Sequence, residues 1–289
     1  MQPFEIHDVP SVQDASNLLS EYGDNARLYA GGTELLLVMK SGILHYDHLI
    51  NIKTVPGLNA IQYGEADHEL KIGALTTHRQ LERSEVVQRW LPLLAQVERE
   101  IANVRVRNVG TIGGNMCFAE PHSDPATLFL ALGAQFKLAS ATMERTLSVD
   151  EFLVDAYEPA LQPDELLTEI RVPLPGASTH GGYQRFQFHE RPTVSVAVLL
   201  TLDDAHEGIK EVIVTVGCVN SKPFRATEAE ALLGGKSVEE AQIASDKAGK
   251  AAAEMADPSD DLNGSSAYKK QLVAILVQRA FLQAYTRFD

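Results

Sequence analysis

The sequence predicts an α+β protein of two domains, and three observations support this. The chain has 289 residues, 45% of them hydrophobic and 22% charged, which is enough for about two domains of roughly 100 to 200 residues, each with its own core. In the first half, strand patterns alternate with glycine turns and helical patterns. In the second half, strand patterns come first and helical patterns follow, which is typical of α+β domains.

The first half begins with an amphipathic helix pattern. Apolar residues recur at helical spacing over 12–22, Ser11 can cap the helix, and Gly23 can end it. A short apolar strand at 27–30 then runs into a glycine turn, after which helical spacing resumes at 35–39. Further patterns predict strands at 48–52, 58–63 and 70–72 (the last two as a hairpin), a helix at 84–102 broken near Pro92, a helix at about 125–132, and strands at 135–139 and 167–172.

A change in composition predicts the domain boundary. The stretch from Pro159 to Gly176 contains four prolines, which favour a connecting segment over a regular element. We therefore expect a first domain at 1–175, with subdomains at about 1–55 and 56–175, and a second domain at 176–289. The second domain is predicted to contain three antiparallel strands at 183–189, 193–202 and 209–219, followed by helices at 226–233, 238–255 and 268–288.

Charge and cysteine content exclude several classes of function. With 25 basic and 39 acidic side chains, the net charge of −14 disfavours binding to nucleic acid or to anionic lipid. Cys117 and Cys218 cannot supply the four thiolates of an iron–sulfur cluster, so metal redox chemistry must lie in another chain. The start of the chain lacks a signal-peptide pattern, and the longest apolar run, Val194 to Leu202, is too short to cross a bilayer. We expect a cytoplasmic protein without a membrane span.

Two paired-glycine segments are the most informative motifs. The first glycine loop is Ala30-Gly31-Gly32-Thr33-Glu34, and the second glycine segment is Thr111-Ile112-Gly113-Gly114-Asn115. Glycine turns before a helix can direct several backbone N–H groups at one phosphate or pyrophosphate. Neither segment fits the Rossmann fingerprint or the P-loop. The residues alone leave two interpretations open: a dinucleotide cradle, or a pair of tight turns.

Together with three later motifs, these segments match a known family. The motifs are A-G-G-T-E-L with M-K downstream at 30–40, T-I-G-G-N at 111–115, P-x-x-D-P-A at 121–126, E-L-L-T-E-I-R-V-P at 165–173, and N-G-S-S-A-Y-K-K with its following helix to R-A at 263–280. In this order and spacing, from about residue 3 to about residue 287, the chain resembles the FAD-binding, or medium, subunits of the molybdenum hydroxylases. That group includes xanthine dehydrogenase, carbon monoxide dehydrogenase and aldehyde oxidase.

The resemblance implies an FAD-binding fold of the vanillyl-alcohol-oxidase (PCMH) type, in which two α+β subdomains clasp the cofactor. A C-terminal domain of the CO dehydrogenase flavoprotein type follows. By the same resemblance, residues 28–35 wrap the FAD pyrophosphate with backbone amides, and the second glycine segment approaches it from the other subdomain. The full set of cofactor-binding residues implied in this way is Leu28, Tyr29, Ala30, Gly31, Gly32, Thr33, Glu34, Leu35, Ala102, Thr111, Ile112, Gly113, Gly114, Asn115, Asp124, Ile170 and Arg185.

Four of these residues lie outside the glycine segments. The resemblance implies that Asp124 hydrogen-bonds toward the adenosine ribose, and that Ala102 and Ile170 pack backbone or apolar atoms against the cofactor. Arg185 stands where many relatives carry a lysine near the flavin, and a cation there favours the reduced, anionic cofactor. Lysine and arginine differ in geometry and hydration, so the two are not equivalent at this position.

The function implied by the resemblance is electron transfer. A large subunit with a molybdenum cofactor hydroxylates the substrate, and a small subunit with two [2Fe-2S] clusters relays electrons to the FAD of this chain. The FAD passes them to NAD, a quinone or oxygen, in an assembly expected to be a dimer of heterotrimers. No side chain of this chain is assigned as catalytic or as a metal ligand. Two alternatives remain: a stand-alone FAD-dependent oxidoreductase, and a flavin-free assembly module of the same fold.

Other residues are interpreted from their local patterns. Glu98 is predicted on a solvated helix face, and Cys117 as a small buried residue. His122 is predicted in an exposed loop, with cofactor contact as the alternative. Tyr157, Tyr183 and Phe186 are predicted to pack in the core, with stacking on the flavin as the alternative. The chain departs from the family at His189-Glu190-Arg191-Pro192-Thr193-Val194, where many relatives have an Arg-rich segment with an Asp. The departure is either a local difference on the acceptor side of the flavin or an altered turn.

Overall fold

The computed structural model describes residues 2–188, 191–205 and 207–286. Its strands are β1 Glu5–Asp8, β2 Ala26–Tyr29, β3 His48–Asn51, β4 Ile61–Gly64, β5 Glu69–Gly73, β6 Gln135–Ala139, β7 Glu144–Ser148, β8 Leu153–Asp155, β9 Glu158–Pro159, β10 Leu166–Pro173, β11 Thr179–Gln187, β12 Pro192–Leu202, β13 Ile209–Gly217 and β14 Phe224–Arg225. Its α-helices are α1 Val12–Tyr22, α2 Leu35–Lys40, α3 His78–Arg83, α4 Glu85–Trp90, α5 Pro92–Glu100, α6 Val104–Val109, α7 Ile112–Phe118, α8 Asp124–Ala131, α9 Val149–Phe152, α10 Thr227–Leu233, α11 Val238–Met255 and α12 Ser266–Tyr285. Within these described ranges, no helix is both long and apolar enough to cross a membrane.

The chain divides into two compact units. Unit 1 comprises Met1–Ala119 and Gln135–Val172, and unit 2 comprises Glu120–Ala134 and Pro173–Asp289. Helix α8 therefore belongs to unit 2, although its sequence interrupts unit 1. The domain and subdomain limits given by the sequence stay a prediction.

Unit 1 contains two larger sheets and a small one. In the first sheet, of order β1-β3-β2, both pairs are parallel. The second sheet has the order β4-β5-β10-β6-β7, with antiparallel pairs at β4–β5, β10–β6 and β6–β7. Strands β8 and β9 form a separate antiparallel pair. The predicted hairpin at 58–72 is confirmed as β4–β5.

Helix α1 illustrates how local sequence sets local structure in unit 1. Its bounds are those predicted from the 12–22 pattern, and Ser11 caps it by accepting a hydrogen bond from the amide of Asp14. Its apolar face buries Ala15 and Leu19 in a cluster with Ile50 of β3. This packing holds the helix against the parallel sheet.

The second glycine segment is helical, which the sequence pattern did not reveal. The sequence leaves a tight turn as one interpretation of 111–115, but Val104–Val109 form α6 and α7 begins at Ile112, so Gly113 and Gly114 lie in its first turn. The oxygen Oγ1 of Thr111 accepts the amide of Gly114 at 3.1 Å and caps this helix. The cap stabilises a helix start that two glycines would otherwise weaken.

Unit 2 is built on an antiparallel sheet of order β11-β12-β13-β14. The three predicted strands are confirmed, and a short fourth strand, β14, pairs its Arg225 with Thr215. Apolar side chains of β12 and β13 form one core with those of α10, α11 and α12. Gly182 lets β11 approach α12 closely, because a Cβ there would lie 2.0 Å from the carbonyl oxygen of Ala280.

An ion pair in unit 1 leads to a pH-dependent prediction. Arg145 of β7 donates from Nε and Nη2 to the two carboxylate oxygens of Glu165, each at 2.7 Å. Burial alone raises the pKa of Glu165, but the hydrogen bonds from Arg145 and from the amide of Gln162 outweigh it and lower that pKa below its ordinary 4.5. A carboxyl whose pKa is lowered by folding stabilises the protein above its unfolded pKa, and loses this contribution as the pH falls through the folded pKa.

We therefore expect Glu165→Gln to lower the free energy of unfolding by about 1–3 kcal/mol at neutral pH, because a bidentate charged hydrogen bond is lost. The difference from wild type should shrink as the pH falls below about 4. Urea unfolding at a series of pH values measures this. A difference that stays constant from neutral pH into acid would contradict the assignment of Glu165 as the group that titrates.

Candidate functional site

The first glycine loop connects β2 to α2 in unit 1. Leu28 and Tyr29 end the strand, residues 30–34 form the loop, and Leu35 is the first residue of the helix; all are half-buried. Gly32 has a φ of +74°, which favours glycine, and a Cβ there would lie 2.4 Å from Cε2 of Tyr29. The strand-to-helix turn therefore depends on glycine at this position.

Gly31 brings the first glycine loop against the segment that leads into the second. A Cβ at Gly31 would lie 2.3 Å from the carbonyl oxygen of Val109 and 2.9 Å from Cα of Gly110. Both are backbone atoms, which cannot move aside as a flexible side chain can. Gly110 also lies close to Thr33 of the loop, since a Cβ at Gly110 would lie 3.5 Å from Oγ1 of Thr33. The residues just before the second glycine segment therefore lie against the first glycine loop within unit 1; the approach of the second segment itself to a pyrophosphate stays a prediction.

Several backbone amides in the first glycine loop and at the start of α2 have no acceptor within residues 2–188, 191–205 and 207–286. Among the described residues, the N–H groups of Gly31, Gly32, Thr33 and Leu35 donate to no oxygen of the chain. Backbone donors in folded proteins are almost always paired, and a cluster of unpaired ones on a glycine turn suits an anion. The arrangement fits a phosphate or pyrophosphate.

The second glycine segment uses its amides differently. Those of Ile112 and Gly113 donate to the carbonyl oxygens of Thr76 and Ala74, each at 2.9 Å. Those of Gly114 and Asn115 donate to Oγ1 and to the carbonyl oxygen of Thr111, respectively. Within this segment, Gly114 is exposed to solvent and Asn115 is half-buried. These four amides hold the segment in place, so they are not free for a ligand.

Gly113 and Ile112 have packing roles. A Cβ at Gly113 would lie 2.5 Å from Cβ of Ala74, so glycine is needed for α7 to pack against the end of β5. The side chain of Ile112 is fully buried. For these two residues, a structural role is therefore sufficient to explain the residue type.

Ala102 and Ile170 lie in very different surroundings. Ala102 is exposed between α5 and α6 with a φ of +41°, and its carbonyl oxygen accepts from Nη1 of Arg107. Ile170 is fully buried in β10, opposite Phe136 of β6. The predicted cofactor contacts of both stay predictions. The structure gives the side chain of Ile170 a place in the core.

His78 and Glu98 form a buried pair next to the second glycine segment. Nδ1 of His78 lies 2.7 Å from Oε2 of Glu98, and both side chains are buried. The backbone amide of His78 donates to the carbonyl oxygen of Gly110 at 3.1 Å. The prediction that Glu98 faces solvent is therefore wrong. The helical pattern gave no sign of this partner, which lies 20 residues earlier in the chain.

Asp124 and Arg185 pair with each other in unit 2. Asp124 is the first residue of α8 and is 4% exposed; its Oδ2 accepts from Nη1 of Arg185, and its Oδ1 from the hydroxyl of Tyr183, both at 2.6 Å. Burial and the Asp124 charge raise the pKa of Tyr183 well above its ordinary value, so the phenol stays protonated. Tyr183 is in the core, as predicted, but as a hydrogen-bond donor. The roles of Asp124 and Arg185 toward FAD stay predictions.

Tyr157 lies in surroundings different from those predicted. The prediction of core packing is wrong, because Tyr157 is 57% exposed and has a φ of +60°. Its ring meets that of Phe118 edge to face, and its amide donates to the carbonyl oxygen of Ala119. Burial of the phenol and, after it, the charge of Glu34 raise the pKa of Tyr157. A φ above zero is not visible in sequence.

The remaining candidates have ordinary roles. His122 is half-buried rather than exposed, its Nδ1 contacts Oε1 of Glu120, and burial lowers its pKa. Cys117 is half-buried rather than buried as predicted, and burial of its thiol raises the pKa to about 12, which disfavours the reactive thiolate. In the segment that departs from the family, His189 and Glu190 lie outside the described residues, whereas Arg191 forms an ion pair with Glu120.

An α+β unit with such a glycine loop fits a protein that binds a phosphate-containing cofactor, and the comparisons with known proteins specify the family. The family model "FAD binding domain in molybdopterin dehydrogenase" matches residues 2–175, and "CO dehydrogenase flavoprotein C-terminal domain" matches residues 185–284. The chain belongs to the family of FAD-binding medium subunits of molybdenum hydroxylases. Its cofactor is FAD, and it is an oxidoreductase subunit.

Individual relatives agree with this assignment over the whole chain. The chain is 32% identical to the carbon monoxide dehydrogenase medium chain of Hydrogenophaga pseudoflava, over 98% of both chains. It is also 32% identical to the glyceraldehyde dehydrogenase medium chain of Sulfolobus acidocaldarius, over 94% of both. A solved structure of the Hydrogenophaga carbon monoxide dehydrogenase matches with a TM-score of 0.92 and 34% identity, over 99% of this chain and 98% of that one. The predicted FAD-binding fold is confirmed.

Proposed function

We propose that this chain is the FAD-carrying electron-transfer subunit of a multi-subunit molybdenum hydroxylase. It accepts electrons from [2Fe-2S] clusters of a small partner subunit, which receive them from a large subunit with a molybdenum cofactor. It passes them to an external acceptor: NAD, a quinone or oxygen. When bound, FAD supplies the redox chemistry, and the task of the protein is to hold and tune it.

One observation carries the proposal for the cofactor site: the unpaired amides of Gly31, Gly32, Thr33 and Leu35. These donors suit the two phosphates of FAD, whose oxygens need several hydrogen bonds at once. The backbone at Val109 and Gly110 braces the loop through its close approach to Gly31. In this proposal the second glycine segment contributes the surface of Gly114 and the side chain of Asn115 to the FAD site. Its own amides hold the segment, and with it Val109 and Gly110, in place.

The partner subunits are inferred from the relatives and from the chain itself. Relatives carry names such as carbon monoxide dehydrogenase medium chain and, from Paenarthrobacter nicotinovorans, 6-hydroxypseudooxynicotine dehydrogenase complex subunit alpha. This chain has two cysteines and cannot hold a [2Fe-2S] cluster through four thiolates. The clusters and the molybdenum cofactor therefore belong to other subunits, in an assembly that we propose to be a dimer of heterotrimers in the cytoplasm.

Purification of the tagged chain from its native cells tests the proposal. We expect two further subunits to co-purify, with iron, molybdenum and FAD in the same size-exclusion peak, and the FAD identified by chromatography after release. A chain that runs alone with FAD, and whose FAD a small molecule reduces directly, would instead be a stand-alone oxidoreductase. A chain that neither contains nor takes up FAD would be an assembly module.

The direction of electron flow needs a second measurement on the same complex. Dithionite reduces the clusters, and after its removal NAD, a quinone and oxygen are added separately while cluster and flavin absorption are followed. The natural acceptor should reoxidise the FAD-containing complex much faster than a complex assembled with the Gly31→Ala variant described below. Equal rates in the two complexes would mean that electrons leave without passing through this chain.

A further inference from the structure

Three side chains at the start of unit 1 converge outside the cofactor site. Strands β1 and β3 are parallel neighbours, with Glu5 paired in register with His48. Glu5 and His7 are two residues apart in β1 and so point to the same face of the sheet. Nε2 of His7 lies 3.0 Å from Nδ1 of His48, and Oε2 of Glu5 lies 3.9 Å from each of these nitrogens.

We propose that Glu5, His7 and His48 form a binding site for a divalent transition-metal ion of the zinc type. The point equidistant from their three ligand atoms, in the plane of those atoms, lies about 2.1 Å from each of them, which is close to the bond length of Zn²⁺ to imidazole nitrogen and to carboxylate oxygen. Two imidazoles and one carboxylate select zinc and similar ions over Mg²⁺ and Ca²⁺, which prefer oxygen ligands. Coordination by three protein atoms leaves a position for water.

The two imidazoles are held in position before any ion binds. The ring of Tyr22 stacks on His48, with ring centroids 3.9 Å apart and an angle of 18° between the planes, and it lies 5.3 Å from the ring of His7. The side chains of His7 and His48 are only 17% and 22% exposed, whereas that of Glu5 is 68% exposed. Two fixed nitrogens and one movable carboxylate allow the site to close on an ion with little rearrangement.

The distance between the two imidazoles supports the same conclusion. At 3.0 Å, one ring nitrogen donates a hydrogen bond to the other. A metal ion that binds both nitrogens displaces this hydrogen, and the donor ring then carries its proton on its other nitrogen, because only an unprotonated imidazole nitrogen binds a metal. The ion would also tie β1 to the central strand β3, so its binding should stabilise the fold of unit 1.

Zinc binding to the FAD-containing chain tests the proposal. After treatment with a chelator and its removal, Zn²⁺ is titrated by calorimetry, and Co²⁺ by its visible absorption. We expect one Zn²⁺ per chain and a higher melting temperature with Zn²⁺ but not with Mg²⁺. His7→Gln and His48→Gln should each abolish both effects, and Glu5→Gln should weaken binding by at least about tenfold.

The matched control is His68→Gln, since His68 is a histidine of the same unit whose Nδ1 lies 3.2 Å from the hydroxyl of Tyr63, outside this cluster. It should bind Zn²⁺ as wild type does. Far-UV circular dichroism and FAD content verify that each variant is folded, and the exposed Glu5 allows a test even if a histidine variant does not fold. Wild-type Zn²⁺ binding in both His7→Gln and His48→Gln, or no Zn²⁺ binding and no thermal shift in wild type, would overturn the proposal.

Discussion

Gly31→Ala will lose most of its FAD. The new Cβ would lie 2.3 Å from the carbonyl oxygen of Val109 and 2.9 Å from Cα of Gly110, so either the loop or its brace must move. Hydrogen bonds to phosphate oxygens require donor–acceptor distances of about 2.7–3.2 Å, and a shift of the loop breaks them. Loss of two charge-assisted hydrogen bonds, at about 1.5–3 kcal/mol each, corresponds to at least a hundredfold weaker binding.

The measurement is the FAD content of purified chains, from visible absorption and from chromatography of the released cofactor, followed by titration of the FAD-free chain with FAD. The control is Gly176→Ala, where a Cβ would meet only Oγ1 of Thr179, at 4.0 Å. It should retain FAD as wild type does. A folded Gly31→Ala variant with wild-type FAD affinity would rule out the first glycine loop as the pyrophosphate site.

Gly32→Val and Gly114→Val separate the two glycine segments. Gly32 needs its positive φ, and a side chain there would collide with the ring of Tyr29, so valine should abolish FAD retention as Gly31→Ala does. At Gly114 the nearest atom to a Cβ is the hydroxyl of Thr111, at 2.8 Å, and the residue is exposed. Weaker FAD binding in this variant would support a direct contact at Gly114. Unchanged flavin content in both variants would contradict the pyrophosphate assignment.

The sequence could predict those parts of the fold and site that depend on neighbouring residues. Helix α1, with its Ser11 cap, and the strand–glycine–helix order at the first glycine loop follow from local patterns, and the structure has both. The use of the amides in the second glycine segment could not be predicted. Their acceptors at Ala74 and Thr76 lie more than thirty residues earlier and are backbone carbonyls, which every residue carries.

Side-chain partners that lie far apart in the sequence could not be predicted either. A carboxylate in an amphipathic helix looks the same whether it faces water or a buried imidazole, so Glu98 gave no sign of His78. Asp124 and Arg185 are 61 residues apart, and each was assigned to FAD by resemblance alone. Their mutual hydrogen bond forms only in the folded unit 2, where α8 packs against β12 and β13 of the C-terminal sheet.

Asp124→Ala will destabilise the FAD-free chain by about 3–5 kcal/mol, since it leaves a mostly buried guanidinium without its carboxylate. Arg185 is 16% exposed and donates to Oδ2 of Asp124, while the hydroxyl of Tyr183 donates to Oδ1. Tyr183→Phe should cost less, about 1–2 kcal/mol, because the carboxylate keeps its arginine. Urea unfolding of chains freed of FAD measures both changes.

A double-mutant cycle distinguishes the ion pair from a role in cofactor binding alone. Asp124→Ala combined with Arg185→Met should be less destabilising than the sum of the two single changes, because the guanidinium that loses its carboxylate in the single variant is absent from the double variant. If Asp124 served only the ribose of FAD, its replacement would weaken FAD binding and leave the FAD-free chain as stable as wild type. Destabilisation without FAD would instead mean that Asp124 stabilises unit 2 in the absence of the cofactor. Any contact with FAD is then made by a carboxylate that Arg185 and Tyr183 already hold in place.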